Sequence, residues 1–312
     1  MENNWPYKPN IIQIETVQGC NRRCTFCGTM GMKREFHFAE RKTIIHACKL
    51  IKKAKLNSRI LLACHGEPTL HPHIVGIVKD IRRILPNNMI HLFTNGTIIE
   101  KKELLVPALF EAGLNDLIFD EYSDHRVGEF VRKSHVCNMF DIVEQGAGVP
   151  LFASKKLNEQ RICIVPPIDG EGNTISRKII NHCGAGGKGL DKPSSKKCSV
   201  IFRDFMVRWD GNVAICCNDF RGEYFVTNIM QHNDLKDVYF HPRLESARKY
   251  LMLGQRKDIH PCDICNTTPI RVGLLPDSAG KLTLKKPNEI DRTIVSKVYK
   301  PLASIEKRAW EK

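Results

Sequence analysis

The sequence lacks the features of a membrane-spanning or secreted protein. No run of eighteen apolar residues occurs in the 312-residue chain, so no transmembrane helix is predicted. The first residues are mostly polar and do not form the apolar core of a secretory signal peptide. The thirteen cysteines are an odd number, so disulfides cannot pair all of them. We therefore expect a cytoplasmic protein, in which thiols stay reduced and available to bind metal.

Aromatic residues are scarce beside the basic ones. Aromatic side chains make up 7% of the chain, whereas 48 Lys and Arg residues against 34 Asp and Glu residues give a net charge of +14. Such a charge suits a nucleic-acid partner. However, no aromatic residues interleave with the basic clusters, as a base-stacking groove would require. The charge is therefore interpreted as a solvated surface, and binding to nucleic acid is the less favoured alternative.

Apolar segments alternate between strand and helix periods through the first half of the chain. Strands are predicted at residues 11–14, 59–64, 89–93, 116–120, 140–144 and 161–165. Helices are predicted at residues 39–55, 72–85, 101–112 and 124–133. This alternation predicts an α/β protein with a parallel sheet and helices outside it. No helical segment separates the fifth strand from the sixth.

Three cysteines follow the first predicted strand within one short loop, Cys20, Cys24 and Cys27. Three thiolates can fill three corners of a four-iron cluster and leave one iron open to a small molecule. Disulfides and a structural zinc ion are the alternatives for this loop. The odd cysteine count argues against disulfides. Zinc normally takes four protein ligands, and no fourth Cys or His lies close by.

The Cys-x3-Cys-x2-Cys loop, with Phe26 before the third cysteine, resembles the signature of the radical S-adenosylmethionine (SAM) enzymes. The resemblance implies a partial (β/α)6 TIM-like barrel with its chemistry at the carboxyl ends of the strands. It also implies that SAM binds the open iron of a [4Fe–4S] cluster. An electron from a flavodoxin- or ferredoxin-type donor then cleaves SAM, and the resulting 5′-deoxyadenosyl radical abstracts a hydrogen atom from substrate.

Gly66, Glu67 and Pro68 follow the second predicted strand and resemble the SAM-binding turn of this family. Glycine lets the backbone approach a ligand, and Glu67 is predicted to accept a hydrogen bond from the SAM ammonium group. The usual form of the turn has two glycines, and His65 stands in the first position here. An isolated Gly-Glu-Pro turn carries little functional weight, but the cysteine loop upstream strengthens the assignment.

Thr94 and Asn95 follow the third predicted strand and resemble another turn of the family, close to the nucleoside of SAM. As an isolated turn this segment would have no functional meaning. Arg161 and Asp120 are guesses, without motif support, for the residues that hold the SAM carboxylate and ribose. All these loops follow strands, so we expect them to meet at one end of the barrel.

A second set of cysteines lies in the C-terminal half. Asp210 and Gly211 form the turn of a predicted hairpin, and a Cys-x-x-Cys pair follows later. The pattern resembles the SPASM/twitch extension of radical SAM enzymes. The resemblance implies an auxiliary [4Fe–4S] cluster, in electron transfer or substrate positioning, held by Cys198, Cys216, Cys262 and Cys265. Four thiolates saturate such a cluster. A zinc ribbon is the alternative for these four residues.

Cys183 and Asp210 are the candidate catalytic residues. Cys183 could donate a hydrogen atom to a radical, and Asp210 could act as a base. The ordinary interpretations are a buried thiol for Cys183 and a turn-forming residue for Asp210.

We predict a radical SAM partial barrel over residues 1–185, a small SPASM/twitch-like domain over residues 186–272, and a basic C-terminal arm over residues 273–312. The predicted activity is that of an oxidoreductase that abstracts hydrogen from a peptide or small-molecule substrate. Radical SAM modification of RNA or a nucleotide is one alternative. A non-catalytic zinc-stabilised module is the other. No motif identifies the substrate, because specificity depends on side chains around the barrel mouth.

Overall fold

Strands and helices alternate along the residues that the computed structural model describes, which are 5–122, 126–144, 154–168, 181–186, 192–267, 274–276 and 282–284. The strands in these ranges are β1 Ile11–Ile14, β2 Val17–Gln18, β3 His37–Phe38, β4 Arg59–Leu62, β5 Ile90–Thr94, β6 Asp116–Tyr122, β7 Asp141–Glu144, β8 Arg161–Ile168, β9 Asp204–Val207, β10 Asn212–Ala214, β11 Phe225–Asn228, β12 Leu274–Pro276 and β13 Leu282–Leu284. The helices are α1 Arg41–Lys53, α2 Ile74–Ile84, α3 Leu105–Glu111, α4 Val127–Lys133, α5 Val200–Arg203, α6 Leu235–Tyr239 and α7 Pro242–Leu253.

A nine-stranded sheet in the order β11-β10-β9-β1-β4-β5-β6-β8-β7 lies at the centre of the fold. The six strands from β1 to β7 in this order are all parallel, which confirms the predicted α/β class. Parallel strands end at the same edge of a sheet. The loops after β1, β4, β5 and β6 are therefore brought together at one edge, as in barrel enzymes.

The last two parallel strands do not follow chain order in the sheet. β8 pairs with β6, and β7 pairs only with β8 at the sheet edge. Residues 162–165 of β8 are all buried, as expected for an inner strand, whereas β7 has exposed residues at both ends. Residues 154–160, the described part of the connection between these strands, contain no helix.

The helices place one apolar face against the sheet. In α1, the buried residues recur at helical spacing and include Ile44, Ala47, Cys48 and Ile51. The helix predicted at residues 101–112 begins only at Leu105, because residues 97–101 and 103–104 form turns. The other three predicted helices differ from the observed ones by no more than three residues at either end.

The C-terminal segment continues the same sheet. β9 pairs parallel with β1, from Ile11↔Asp204 to Ile14↔Val207, and β10 and β11 follow as antiparallel strands. The predicted hairpin turn is present, with Gly211 at a φ of +84° between β9 and β10. The rings of the N-terminal Trp5 and Tyr7 make tilted contacts with Tyr239 of α6, so the N-terminus and the C-terminal segment share one core.

Several sequence predictions concern residues outside these ranges. They include residues 169–180 and 187–191, which lie on either side of the predicted domain boundary at residue 185, and most of the predicted basic arm at residues 273–312. Within the described ranges, no helix has both the length and the apolar character that crossing a membrane requires.

Candidate active site at the cysteine loop

Cys20, Cys24 and Cys27 lie in the loop after β1. The amide of Cys27 donates to the carbonyl of Cys24 at 3.0 Å, which folds the loop into a turn. Burial, with the nearby Glu67 and the thiols of Cys27 and Cys24, raises the pKa of Cys20 to about 12. The loop therefore holds its thiols close enough to oppose one another's ionisation. A bound metal reverses this opposition, because thiolate ligands lose their protons to the metal.

Backbone hydrogen bonds join the cysteine loop to the turn after β4. The Gly19 amide donates to the carbonyl of His65 at 2.9 Å, and the Glu67 amide donates to the carbonyl of Gly19 at 3.0 Å. A Cβ atom at Gly66 would lie 2.2 Å from the carbonyl oxygen of Val17. Glycine at position 66 is therefore required for the close approach of the two loops.

The carboxylate of Glu67 joins the two turns that the sequence predicted to bind SAM. Its Oε1 accepts hydrogen bonds from the amide and hydroxyl of Thr69 and, at 2.8 Å, from the hydroxyl of Thr94. Its Oε2 accepts from the amide of Asn95 at 2.8 Å. Burial raises the pKa of Glu67, although these hydrogen bonds act in the opposite direction. The predicted bond from Glu67 to the SAM ammonium group stays a prediction, and Oε2 retains capacity for it.

Asn95 connects this turn to the cysteine loop. Its Nδ2 donates to Cys20 Sγ at 3.5 Å and to Asn21 Oδ1 at 2.9 Å, while its Oδ1 accepts from the amide of Thr97 at 3.0 Å. The structure thus brings together three predicted site segments, the cysteine loop and the turns after β4 and β5. Pro68 begins the short helical turn that follows Glu67.

Aromatic and basic side chains border the same site. Phe26 stacks on Tyr122 with ring centroids 5.9 Å apart, and the guanidinium of Arg22 lies 4.9 Å from the centre of the Tyr122 ring. Sequence reasoning missed Tyr122 because β6 was predicted to end at Asp120. The extra two strand residues place an aromatic ring beside the cysteine loop.

The guess that Arg161 holds the SAM carboxylate is wrong. Arg161 is the first residue of β8, at the amino end of the strand and therefore at the opposite edge of the sheet from the cysteine loop. Its guanidinium pairs there with Glu159 at 3.7 Å and with Asp141 at 3.8 Å. The strand predicted at residues 161–165 already placed Arg161 at its amino end, so this assignment disagreed with a site at the carboxyl ends of the strands.

A second group of thiols surrounds a small cavity in the C-terminal segment. The thiols that line it belong to the four residues named as auxiliary ligands and to a fifth cysteine: Cys198, Cys216, Cys262, Cys265 and Cys183. The other walls are mainly apolar, with Ile201, Ile215 and Leu251. Sulfur donors in an apolar cavity suit an iron–sulfur cluster. Among the described residues, no three His, Cys, Asp or Glu side chains converge closely enough to hold a single metal ion.

The turn at residues 181–186 contacts both cysteine sites. A Cβ atom at Gly186 would lie 2.7 Å from the carbonyl carbon of Cys27, so this end of the turn packs on the first cysteine loop. Cys183 lines the second cavity. Three residues span at most about 11 Å, so the two sites are joined by a very short piece of chain.

His182 of this turn also contacts both sites. Its ring lies beside the Phe26 backbone in the cysteine loop and the side chain of Asn218, which follows the hairpin. Burial, with the nearby His65, lowers the pKa of His182 to about 4. The imidazole is therefore neutral at physiological pH.

A buried His–Glu pair beside the turn after β4 was not predicted. His65 Nδ1 lies 2.9 Å from Glu15 Oε1, and His65 Nε2 lies 3.0 Å from the carbonyl of Cys217. The other oxygen of Glu15 accepts from the Trp209 amide at 3.1 Å. Burial alone would raise the pKa of Glu15, but His65, Arg208 and the Trp209 amide lower it overall. His65 thus links the barrel to the C-terminal segment from the position where the family usually has glycine.

Asp210 lies apart from these sites at an exposed turn. Its carboxylate accepts from the amide of Asn212 at 3.0 Å and from the Asn212 side chain at 2.7 Å. These bonds give it the turn-forming role, and its use as a catalytic base stays a prediction.

Comparisons with known proteins agree with this arrangement. The sequence model of the radical SAM superfamily matches residues 14–123, which include the first cysteine loop. The model of the SPASM iron–sulfur cluster-binding domain matches residues 198–266, which include the four predicted auxiliary ligands. The chain belongs to the radical SAM superfamily. It is an oxidoreductase-type enzyme whose cofactors are SAM and [4Fe–4S] clusters, and the zinc-stabilised module is wrong.

Among radical SAM proteins, the chain is 23% identical over 268 residues to S-adenosyl-L-methionine-dependent 2-deoxy-scyllo-inosamine dehydrogenase of Niallia circulans, covering 84% of this chain and 94% of that protein. It is 31% identical over 109 residues to GTP 3′,8-cyclase of Microcystis aeruginosa, covering 34% of this chain and 32% of the cyclase. The crystal structure of BtrN in complex with AdoMet and 2-DOIA shares the fold, with a TM-score of 0.65 and 20% identity over 84% of this chain and 94% of BtrN.

Proposed function

We propose that this radical SAM enzyme is a dehydrogenase that oxidises a hydroxyl-bearing carbon of a small polar molecule. The likeness to a SAM-dependent dehydrogenase extends over 94% of that relative, whereas the likeness to GTP 3′,8-cyclase extends over 32% of the cyclase. The observation that carries the proposal is the turn at residues 181–186, which touches both cysteine sites. Removing two electrons from one substrate suits a protein with two such sites close together.

The first site would hold its cofactors through the residues already described. Cys20, Cys24 and Cys27 would ligate the cluster, and Asn95 donates to the sulfur of Cys20. Glu67 keeps the turns after β4 and β5 in register with that loop. When bound, the cluster and SAM supply a 5′-deoxyadenosyl radical that removes one hydrogen atom from the substrate carbon.

The second site would complete the oxidation. After a hydrogen atom leaves, the substrate carbon must lose one more electron and one proton to become a carbonyl. A cluster held by Cys198, Cys216, Cys262 and Cys265 would supply an acceptor for that electron. The short turn between the sites keeps this acceptor near the substrate-binding end of the barrel.

An acidic electron donor of the flavodoxin or ferredoxin type is the partner that we propose for the first site. Arg23, Lys33 and Arg34 are exposed beside the cysteine loop, and they line a shallow hollow together with Cys20. Complementary charge would speed the encounter with such a donor, and the effect would weaken as salt is added.

The radical assignment is tested by anaerobic reconstitution with iron and sulfide, followed by addition of SAM and dithionite. We expect reductant-dependent release of 5′-deoxyadenosine, and we expect Cys24→Ala to abolish it because the cluster loses one of three ligands. Cys48→Ala removes a thiol buried in α1 and should leave the release unchanged. Cleavage that survives Cys24→Ala would overturn the assignment.

The substrate class is tested with cyclic polyols that carry deuterium on the carbinol carbons, beginning with 2-deoxy-scyllo-inosamine. We expect deuterium to appear in 5′-deoxyadenosine and a ketone to form in equal amount. Continued SAM cleavage without deuterium transfer from any of these alcohols would reject the substrate class and leave the radical assignment intact.

A further inference from the structure

The auxiliary cavity contains one thiol more than a four-iron cluster needs. Its lining includes the four predicted ligands, and Cys183 as well. The SPASM match begins at residue 198, so it contains those four cysteines and excludes Cys183. Four thiolates saturate a [4Fe–4S] cluster. The fifth thiol is therefore not needed to complete the ligand set.

Cys183 lies beside the predicted ligands. It lines the same small cavity as Cys216 and Cys265. The side chain is 2% exposed, so water does not compete with the neighbouring sulfurs for its S–H group. A thiol in this position can donate a hydrogen bond to a ligand sulfur.

The backbone is bent to bring Cys183 to this place. His182 and Cys183 have positive φ values of 45° and 52°, which side chains other than glycine rarely adopt, and Gly184 follows at 77°. Asn181 holds the turn against the Cys262–Cys265 pair, because its Nδ2 donates to the carbonyl of Ile264 at 2.6 Å. In addition, the Asn181 amide donates to Asn266 Oδ1 at 2.7 Å. Strain of this kind persists only where the surroundings enforce it.

We propose that Cys183 is a hydrogen-bond donor to the ligand sulfurs of the auxiliary cluster and raises its reduction potential. The inference rests on the proposed function, since it requires a cluster held by Cys198, Cys216, Cys262 and Cys265. A donor hydrogen bond stabilises the reduced cluster more than the oxidised one, because the reduced cluster carries more negative charge on its sulfurs. A higher potential makes the cluster a better acceptor for the electron that the substrate must lose.

The test uses the full-length chain with Cys20, Cys24 and Cys27 changed to Ala, so that the auxiliary site alone can hold iron. In this background, Cys183→Ala is compared with Cys183→Ser, which keeps a hydroxyl donor, and with Cys48→Ala as a control. Iron content is measured first, and the midpoint potential is then measured by redox titration followed by electron paramagnetic resonance. Circular dichroism establishes that each variant is folded.

We expect about four irons per chain in every variant, because the four ligands are intact. We expect Cys183→Ala to lower the reduced-to-oxidised ratio at fixed potential about tenfold, which is about 59 mV for one electron. Cys183→Ser should recover part of this shift, and Cys48→Ala should show none. The serine variant keeps the proposal testable if the alanine variant fails to fold.

Two results would overturn the proposal, and a third would overturn the proposed function as well. Loss of iron in both folded Cys183 variants would make Cys183 a ligand rather than a donor. Intact iron with an unchanged potential would make it an inert buried thiol. Absence of iron from the background variant itself would reject the auxiliary cluster, and with it the proposed function.

Discussion

Glu67 and Glu15 are buried carboxylates at neighbouring turns, but their surroundings shift their pKa values in opposite directions. Glu67 accepts four hydrogen bonds from neutral donors, and burial still raises its pKa. Glu15 faces His65 and Arg208, which lower its pKa. Glu15 is therefore the ionised anchor between the barrel and the C-terminal segment. Glu67 is the acceptor that keeps the turns after β4 and β5 together.

We expect Glu15→Gln to destabilise the protein by about 2 kcal/mol at pH 7, because a buried charged hydrogen-bond acceptor is lost. The folded pKa of Glu15 is lowered, so its contribution is fully present above the unfolded value of about 4.3 and is lost as pH falls through the folded value. Thermal unfolding of the reduced apoprotein, compared at pH 7 and below pH 4, measures the loss of stability in the variant. A loss of stability that is the same at both pH values would show that the charge of Glu15 is not responsible.

The matched control for this prediction is Glu129→Gln. Glu129 is exposed in α4 and faces Lys133 at 4.0 Å, a surface pair expected to contribute little. We expect no measurable change in melting temperature at either pH.

Some residues of the site could be predicted from the sequence and others could not. The spacing of Cys20, Cys24 and Cys27 identified the first loop because one short loop contains the whole motif. Glu15 and His65 are far apart in sequence and meet only because β1 pairs with β4. Cys183 was named as a candidate, but its place in the auxiliary cavity could not be predicted, since the positive φ values that direct it there have no local sequence signal apart from Gly184.

At the scale of elements, the site depends on close contact between the backbones of two loops. Gly19 and Gly66 form an isolated bridge between the cysteine loop and the turn after β4. The alternation of strands and helices was predictable because each element shows its own apolar period. The position of β8 between β6 and β7 was not predictable, because the order of strands in a sheet depends on pairing between distant segments. The greater burial of β8 explains the order once it is seen.

We expect Gly66→Ala to reduce SAM cleavage at least tenfold and to lower the melting temperature, because the new Cβ would overlap the carbonyl oxygens of Val17 and Gly19. These are backbone atoms, so the loops themselves would have to separate. Gly76→Ala is the matched control within α2, where a Cβ would meet nothing within 4 Å. It should stabilise the chain by about 0.5–1 kcal/mol. Equal SAM cleavage and equal melting temperatures in the two variants would contradict the close approach of the two loops.

At the scale of the whole molecule, the barrel and the C-terminal segment are parts of one sheet. β9 joins β1 directly, and the N-terminal Trp5 and Tyr7 pack on Tyr239. The sequence suggested a small separate domain because a second set of cysteines, beginning at Cys198, clusters in the C-terminal half. Composition cannot show that β9 would extend the barrel sheet. The domain boundaries at residues 185 and 272 accordingly stay predictions.

This shared sheet explains how two cysteine sites distant in sequence come close in space. The turn at residues 181–186 contacts Cys27 on one side and carries Cys183 into the second cavity on the other. The arrangement suits the proposed two-electron oxidation, in which the second electron would need an acceptor close to the first site.

The most direct measurement is the iron content, with Mössbauer spectroscopy, of the anaerobically reconstituted chain and of the variant with Cys20, Cys24 and Cys27 changed to Ala. Two separate four-iron clusters predict about eight irons in the unaltered chain and about four in the variant, with SAM cleavage only in the former. Equal iron in both proteins, or SAM cleavage by the variant, would contradict the account.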